Sequence, residues 1–295
     1  MRIDLHTHSR VSDGTAAPRD LVRSAAAAGL DVVALTDHDT TAGWDEAVRA
    51  AEEVGIWLVR GIEVSTTWQG RSVHLLAYLP DPDDADLVDA LAQVVRRRQE
   101  RVPAIVAKLV SLGIDIDEED VARVAGHAAA AGRPHVADAL VAAGVVGDRT
   151  EAFERYLKPG RPAYVHRESA PLLDALGAVR GAGGVTVIAH PWGRGSRSVM
   201  GADDLAELAT AGLVGLEVDH QDHGPAERSQ LRGIASDLGL VVTGSSDHHG
   251  TGKIDHDLGV NTTHPDEYER LLEAARGAAA VARARGASPV GVIGP

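Results

Sequence analysis

The sequence predicts an α/β protein, a class in which buried strands alternate with helices. Seven short apolar runs, most of them near-continuous in Val, Ile, Leu and Ala, have the composition of parallel strands that are buried on both faces. Ala-rich amphipathic segments lie between them, and several of these begin with Pro and end at Gly, as helices do. Seven β–α units in succession indicate either an α/β barrel or a doubly wound sheet.

These elements follow one another along the chain, apart from one break. The predicted strands span residues 2–6, 31–36, 56–63, 73–78, 185–190, 214–219 and 240–245. The predicted helices span residues 18–28, 43–54, 85–98, 171–181, 202–211, 225–238 and 265–279. Glycines stand just before several of the strands, where they end the preceding helices: Gly29, Gly55, Gly183, Gly212 and Gly239.

The break lies between about residue 98 and residue 165, where only helical patterns occur. Helices are predicted at 100–112, 118–125, 134–143 and 150–157, followed by a turn that contains Pro and Gly. We therefore divide the chain into an α/β core of residues 1–97 and 166–285, a helical insertion of residues 98–165 and a tail of residues 286–295. The insertion is expected to select the substrate, although an elaborated crossover between two strands would have the same pattern.

Composition and charge exclude several classes of function. The 295 residues include 29 basic and 43 acidic side chains, which give a net charge of −14, and no cysteine. Without cysteine the chain forms no disulfide, zinc finger or thiol nucleophile, and its acidity argues against binding to duplex nucleic acid. A small phosphorylated substrate held by local cations is compatible with this charge. No apolar run is long enough to predict a membrane span, and the charged start does not resemble a signal peptide, so the expected location is the cytoplasm.

The histidines mark the expected functional site. There are 14 of them, and histidine is the commonest metal ligand. His6 and His8 are two residues apart, so on an extended chain both face the same way and can bind one ion. Further His, Asp and Glu residues stand at or near other strand ends: Asp37, His38, Asp39, Glu63, His74, His190, Glu217, Asp219, His220, Asp247 and His249. Because sites form at the carboxyl ends of parallel strands, we expect these side chains to converge around metal ions that offset their charges.

Motifs at these positions resemble those of one known family. The pattern His6-x-His8, the segment from Thr36 to His38, Glu63, the pair His190-Pro191 and the segment from Gly244 to His249 are similar to the motifs of the PHP (polymerase and histidinol phosphatase) family. The resemblance implies a distorted seven-stranded β/α barrel, the PHP fold, with an inserted helical subdomain and up to three metal ions. The insertion and its arginine run further resemble the branch that contains nucleoside 3′,5′-bisphosphate phosphatases and 5′-3′ exoribonucleases.

The resemblance also implies how the metal ions are held. One ion would be bound by His6, His8, Glu63 and Asp247, a second by Glu63, His74 and His190, and a third by Asp13, His38 and His249. Some relatives have a histidine where this chain has Asp13, and His248 is expected to be a spacer. Four acidic residues are expected to orient the ligand imidazoles: Asp4, Asp37, Asp39 and Glu217. The mixture of nitrogen and oxygen donors favours two or three ions of Mn, Fe or Zn.

The expected chemistry is metal-assisted hydrolysis of a phosphate ester. Glu63 and Asp247 are the predicted catalytic carboxylates, because they would hold two ions roughly 3.5–4 Å apart, with a bridging hydroxide as the nucleophile. His223, just after the sixth predicted strand, is a candidate general acid for the leaving oxygen. The expected substrate is a nucleoside 3′,5′-bisphosphate, which would lose its 3′-phosphate, or a short 5′-phosphorylated oligoribonucleotide.

Phosphate-binding residues are expected in the insertion. Arg98 and Arg101 are three residues apart in the densest basic run, and Arg133 and His135 open a later helix, whose N-terminus also attracts phosphate. A solvated helix face is the alternative explanation of the arginine run. Weaker candidates are Lys158, Arg161 and Arg194, whereas the remaining histidines are expected to be ordinary surface or structural residues: His127, His166, His256 and His264.

Three other functions are compatible with the sequence. A histidinol-phosphate phosphatase would have the same metal site, but the insertion and its arginines favour a substrate with two phosphates. A PHP accessory module without catalysis would be expected to have lost ligands, yet all nine ligand positions are filled. Metal-dependent C–N hydrolysis often uses a carboxylated lysine, and no lysine stands at a predicted strand end. The sequence predicts no particular protein partner.

Overall fold

The computed structural model of the chain describes residues 1–126, 128, 131–165, 169–193 and 200–294. His127, His166 and Arg194, each of which has a predicted role, lie outside these residues. Among the helices of the described residues, none is both long and apolar enough to cross a membrane.

A single mixed sheet forms the centre of the protein. Its strands are β1 (Ile3–Asp4), β2 (Val32–Leu35), β3 (Trp57–Trp68), β4 (Arg71–Tyr78), β5 (Ala170–Pro171), β6 (Val185–Ala189), β7 (Gly215–Asp219) and β8 (Val241–Gly244). Their order in the sheet is β1-β2-β3-β4-β6-β7-β8, and the short β5 pairs with β3. The seven strands of the main path coincide with the seven predicted strands, and β5 is an addition.

The direction of one strand differs from the predicted parallel arrangement. The pairs β1–β2, β2–β3, β6–β7 and β7–β8 are parallel, but β4 is antiparallel to both β3 and β6. The cause is a two-residue turn at Gln69 and Gly70, whose φ angles of 47° and 73° reverse the chain and pair Trp68 with Arg71. The start of β4 therefore lies at the same edge as the ends of the parallel strands.

The sheet curls until its first and last strands meet. Thr7, just after β1, pairs in parallel with His248, just after β8. The amide of His8 donates to the carbonyl of His248 (2.8 Å), and the amide of Thr263 donates to the carbonyl of Ile3 (2.8 Å). The result is the expected distorted seven-stranded barrel rather than a doubly wound sheet, and the carboxyl ends of β1 and β8 meet at one mouth of it.

Helices cover the outside of the barrel. They are α1 (Pro18–Ala27), α2 (Trp44–Val54), α3 (Ala85–Gln99), α4 (Arg101–Ser111), α5 (Glu118–Ala125), α6 (Arg133–Ala142), α7 (Arg149–Ala152), α8 (Leu172–Gly181), α9 (Ala202–Ala211), α10 (Pro225–Leu238) and α11 (Pro265–Arg283). Strand residues such as Leu35 and Leu58 pack against α1–α3 and α8–α10 in the largest apolar cluster. Strand residues such as Ile3 and Leu76 pack with Leu271 of α11 in a second cluster on the other face of the sheet.

The inserted segment comprises α4–α7 and a π-helical turn (Phe153–Leu157). It encloses a third apolar cluster of its own, in which Ile105, Leu109 and Leu140 are fully buried. Capping groups start its helices, as at α5, where the side chain of Asp117 accepts from the amide of Asp120. The segment therefore packs around a separate core and meets the barrel through the polar contacts described below.

Candidate metal centre

The nine predicted ligands converge at the mouth of the barrel where the strand ends meet. Eight of them are buried and His74 is partly buried. Backbone pairing fixes their relative positions, because His38 pairs in parallel with Glu63 just as Thr7 does with His248. His190 and Asp247 have positive φ angles (31° and 51°), a conformation that costs a residue with a side chain about 1–3 kcal/mol and is common at functional sites.

Glu63 occupies the centre of this group. Its Oε1 lies 2.6 Å from Nδ1 of His74 and 3.3 Å from Nε2 of His190. Its Oε2 lies 3.2 Å from Nε2 of His8 and 3.3 Å from Nε2 of His6. Each carboxylate oxygen thus faces a different set of histidines, since Oε2 also lies 3.1 Å from Nδ1 of His38. This is the arrangement expected of a carboxylate that bridges two metal ions.

Asp247 completes the group around the histidines of β1. Its Oδ1 lies 3.4 Å from Nε2 of His8 and 3.5 Å from Nε2 of His6. Asp247 comes from the loop after β8, which the closure of the barrel places beside the end of β1. The two histidines and the two carboxylates of Glu63 and Asp247 therefore surround one position, as the sequence predicts.

Asp13 gathers the third group. Its Oδ1 lies 3.2 Å from Nε2 of His249, and its Oδ2 lies 3.6 Å from Nε2 of His38. The other ring nitrogen of His38, Nδ1, is 3.1 Å from Oε2 of Glu63, so this imidazole lies between the third group and the bridging carboxylate. The structure thus brings together the three residues predicted to hold a third ion.

Burial and neighbouring charges set the protonation states of these groups. Burial alone raises the pKa of Glu63, but electrostatic interactions with the surrounding imidazoles of His38, His74 and His6 hold that pKa well below its ordinary value. In the same way, His38 and His249 hold the pKa of Asp13 well below its ordinary value against the effect of burial. Burial lowers the pKa values of His38 and His249. Ionised carboxylates and neutral imidazoles are the forms that bind metal ions.

Glu217 binds two of the predicted ligand residues, His6 and His190. Its Oε1 is 3.0 Å from Nδ1 of His6, and its Oε2 accepts from the amide of His190 (2.8 Å). Burial lowers the pKa of His6, but Glu217, Glu63 and Asp247 raise it well above its ordinary value. Carboxylates that bind the outer nitrogen of an imidazole orient the ring toward a metal ion. This is the role expected of Glu217 from the sequence.

The donor set fits metal ions. Nε2 of His6 and Nε2 of His8 lie only 3.0 Å apart, and carboxylate oxygens of Glu63 and Asp247 lie within 3.5 Å of both. Nδ1 of His6 faces the carboxylate of Glu217, so the proton of the neutral ring is on Nδ1. The lone pair of Nε2 then points toward the position that His8, Glu63 and Asp247 also face. In the described part of the chain, possible ligand atoms that all lie within 4.8 Å of one another form four sets: His6, His8 and Asp247; His38, Glu63 and His74; His8, Asp13, His38 and His249; and His220, Asp247 and His256.

Three other acidic residues hold the loops of the site instead of the ligand imidazoles, which corrects their expected role. Each accepts from a backbone amide: Asp4 from Ser246 (3.0 Å), Asp37 from Ser9 (2.8 Å) and Asp39 from Ser65 (2.7 Å). Their short side chains reach the neighbouring backbone rather than the rings. They therefore fix the loop conformations, which in turn place the ligands.

A group that the sequence did not predict surrounds the outer oxygen of Asp247. The amide of Asp222 donates to Nδ1 of His220 (3.0 Å), which leaves the proton on Nε2 to donate to Oδ2 of Asp247 (3.2 Å). Lys253 forms an ion pair with the same oxygen, and burial together with Lys253 lowers the pKa of the adjacent His256 to about 4. An Nε2 that carries a proton does not bind a metal ion, so we assign this group to the positioning of Asp247. The signal in the sequence was the place of His220 at a strand end.

Arg98 is buried at the edge of the metal centre, with 8% of its surface exposed. Its Nη2 donates to Oδ2 of Asp39 (2.6 Å) and to the hydroxyl of Ser65 (2.9 Å). Its charge contributes to the lowered pKa of His38. Arg98 therefore does not lie on a solvated helix face, so that alternative is wrong for this residue. The charge of Arg98 is already paired with the carboxylate of Asp39, which the prediction of phosphate binding did not include.

Arg101 and Arg133 both contact the ring of Tyr164. Their guanidinium carbons lie 5.5 Å and 5.8 Å from the centre of that ring, and the guanidinium of Arg133 also lies 5.6 Å from the ring centre of Phe153. Arg101 is buried and donates to the carbonyl of Val165. Both arginines thus lie against the same aromatic ring in the insertion, which is compatible with the predicted binding of one phosphate by both.

His135 does not offer a ring nitrogen to a substrate. Its Nδ1 accepts from the amide of Gly132 (3.0 Å), and its Nε2 faces the carbonyl of Ser12 (2.9 Å). Burial lowers its pKa, which favours the neutral ring. The structure therefore contradicts its prediction as a phosphate ligand.

His223 is engaged in the same way. Its Nδ1 donates to the carbonyl of Val218 (2.9 Å), and its Nε2 accepts from the amide of Trp192 (3.2 Å). Burial lowers its pKa. Since the single proton of the neutral ring is already donated to the backbone, this geometry does not support the predicted general acid.

The remaining candidates lie away from the centre. Lys158 and Arg161 are exposed and form ion pairs with Glu154. His264 is exposed at the start of α11, whereas His248 is partly buried and its Nδ1 faces the carbonyl of His256 (2.7 Å). None of these four residues is added to the nine predicted metal ligands.

Comparisons with known proteins identify the relatives of this chain. A model of the PHP domain matches residues 4–119. The chain is 36% identical over 257 residues to the 3′,5′-nucleoside bisphosphate phosphatase of Chromobacterium violaceum, with 87% of this chain and 90% of that protein covered. It is 35% identical over 248 residues to a 5′-3′ exoribonuclease of Haemophilus influenzae, with 84% and 90% covered.

A solved structure shows the same architecture. A chain from Bifidobacterium adolescentis, described as a metal-dependent phosphoesterase, superposes with a TM-score of 0.88 at 39% identity, with 92% of this chain and 96% of that chain covered. Both curated relatives exceed 30% identity over most of each chain, and the mouth of the barrel here brings together the nine predicted His, Asp and Glu ligands, eight of them buried. The protein therefore belongs to the PHP family of metal-dependent phosphoesterases.

Proposed function

We propose that the protein hydrolyses phosphate esters of nucleotides, namely the 3′-phosphate of nucleoside 3′,5′-bisphosphates and short 5′-phosphorylated RNA. The observation that carries this proposal is the position of Glu63, whose two oxygens face different histidines within 3.3 Å: His74 and His190 at Oε1, and His6, His8 and His38 at Oε2. The relatives named for these two substrates support the substrate class. Histidinol phosphate is the alternative substrate that the test must include.

The nine ligands would hold two or three ions of Mn, Fe or Zn, because mixed imidazole and carboxylate donors suit these metals. When bound, such ions supply an activated water and neutralise charge on the phosphate. The residues prepare this position. Glu63 and Asp247 stay ionised although they are buried, and Glu217 turns the ring of His6 so that Nε2 faces the other ligands.

The insertion would select the substrate by holding its second phosphate. Arg101 and Arg133 carry this part of the proposal, because both contact the ring of Tyr164 and so place two guanidinium groups against one aromatic ring. A guanidinium binds phosphate through paired charge-assisted hydrogen bonds. Arg98 would instead act near the metal centre, since it is fixed there by Asp39.

Release of phosphate from monoesters, and of nucleoside 5′-monophosphate from RNA, tests this function on a defined set of substrates. The manganese-loaded protein is assayed with adenosine 3′,5′-bisphosphate, adenosine 3′-monophosphate, a 5′-phosphorylated RNA trimer and histidinol phosphate, with an Asp247→Asn variant as the control for contaminating phosphatase. We expect kcat/KM to be at least about tenfold higher for the bisphosphate than for either monophosphate, the effect of one lost arginine–phosphate contact. Preference for histidinol phosphate would contradict the substrate, and no hydrolysis by metal-loaded protein would contradict catalysis.

A further inference from the structure

Two side chains of the insertion hold the backbone of the loop that carries Asp13. The amide of Gly132 donates to Nδ1 of His135 (3.0 Å), so the proton of the neutral ring is on Nε2, which donates to the carbonyl of Ser12 (2.9 Å). Arg149, on α7, donates from Nη1 to the carbonyl of Asp13 (3.1 Å). Two consecutive carbonyls of a barrel loop are therefore bound by residues that lie more than 100 positions away in the insertion.

Arg149 is itself held in place by the residues around it. Its Nε and Nη2 form a two-pronged ion pair with the carboxylate of Asp138 on α6. Its Nη1 also approaches the carbonyl of Gly252 (3.4 Å), and a Cβ at that glycine would lie 2.3 Å from Nη1, so the guanidinium packs directly against this backbone. Arg149 thus connects the insertion with two of the three loops that supply the third group, those of Asp13 and His249.

We propose that the insertion builds the third metal site, with Arg149 and His135 as positioning residues. Fixing the carbonyls of residues 12 and 13 sets the direction of the Asp13 carboxylate, which must face His38 and His249 at once. The proposal rests on the assignment of these three residues as metal ligands. On this proposal, the insertion contributes to the metal centre as well as to substrate selection. A phosphate bound by the insertion would therefore contact the same element that orders the third ion.

Metal binding by full-length variants tests this role. Arg149→Met removes the donor to Asp13, and Arg149→Lys keeps the charge but lacks the planar fork that spans Asp138 and the loop. His135→Leu removes the other donor, whereas His135→Gln provides an amide that both donates and accepts and should restore binding. Arg123→Gln, in an exposed ion pair of α5, is the matched control within the insertion.

Manganese binding is followed by equilibrium dialysis with elemental analysis, and loop order by hydrogen exchange of residues 9–16 in the metal-free proteins. We expect Arg149→Met and His135→Leu to weaken one of three sites by about tenfold or more, the effect of losing one such hydrogen bond. The other sites should be unchanged, and the loop amides should exchange faster than in Arg123→Gln. Equal weakening of all sites, or unchanged affinity and exchange, would overturn the proposal.

Asp13→Asn distinguishes this proposal from the ligand assignment beneath it. If Asp13→Asn loses one ion while the Arg149 and His135 variants retain it, the assignment stands and the positioning role is refuted. If Asp13→Asn retains every ion, Asp13 is not a ligand and both ideas fail. Circular dichroism checks that each variant folds, and Arg149→Lys gives the answer for Arg149 if Arg149→Met does not fold.

Discussion

Replacement of Glu217 by glutamine should weaken metal binding without touching a metal ligand. Oε1 of Glu217 is bound to Nδ1 of His6 and to the hydroxyl of Ser245, and Oε2 accepts from the amide of His190 (2.8 Å). Glutamine has the same shape but only one acceptor oxygen. If the NH2 group replaces Oε2, it faces the amide of His190, which can only donate. If it replaces Oε1, Nδ1 of His6 can accept from it only by moving the ring proton to Nε2, the nitrogen that faces the other ligands.

The expected loss of metal affinity in Glu217→Gln can be estimated from the hydrogen bonds that the glutamine cannot make. A buried donor left without an acceptor costs about 1–3 kcal/mol, and a change of about 1.4 kcal/mol alters an equilibrium constant tenfold. Loss of a carboxylate that orients a ligand imidazole typically weakens metal binding by about 10–100-fold. We therefore expect Glu217→Gln to lower the affinity of the His6 site for zinc by about 10–100-fold.

Competition with a chromophoric zinc chelator measures this affinity. Glu207→Gln makes the same chemical change on the exposed face of α9 and should bind zinc as the unchanged protein does. Thermal denaturation of both metal-free variants separates a loss of metal affinity from a general loss of stability. An affinity of Glu217→Gln within twofold of that of the unchanged protein would refute the reasoning that this contact orients His6.

Three further predictions follow from the same geometry. Asp247→Asn should lose the ion of the His6 site and release no detectable phosphate, as measured by elemental analysis and a phosphate assay, and residual turnover would contradict its role. His249→Ala should retain two ions but turn over much more slowly, and loss of all ions together would show that the sites are not separable. Arg98→Ala should reduce the free energy of unfolding by about 3–5 kcal/mol in urea denaturation, because it leaves the buried carboxylate of Asp39 unpaired. The same variant should hydrolyse all substrates more slowly. Arg133→Ala should slow the hydrolysis of bisphosphates only.

The order of strands and helices could be predicted from the sequence because each element carries its own local signal. Apolar runs and helix-ending glycines mark the elements wherever they lie in the chain. The direction of β4 could not be predicted in this way, since a strand of apolar residues reads the same in either direction. The signal was the turn at Gln69 and Gly70, which stands beyond the predicted end of the third strand.

The convergence of the candidate ligands could be predicted because histidines and carboxylates at strand ends share one edge of a barrel. The partners that support them were not. Arg149 has no local signal, because it follows the N-cap Asp148 of a four-residue helix and its partner Asp13 lies far away in the sequence. Arg98 was expected to bind phosphate because it lies three residues from Arg101 in a basic run. This spacing could not reveal Asp39, which pairs with Arg98 only in the folded chain.

The hairpin of β3 and β4 has a consequence for engineering this barrel. Glu63 pairs with Leu76 and Ser65 with His74, so the bridging carboxylate and its histidine lie on one face by cross-strand register. A slip of one residue would turn His74 to the opposite face. The turn at residues 69 and 70 lies beyond these pairs and is exposed. A recognition peptide grafted at this tip would therefore stand close to the reaction without displacing a ligand, provided that the pairs below it are kept.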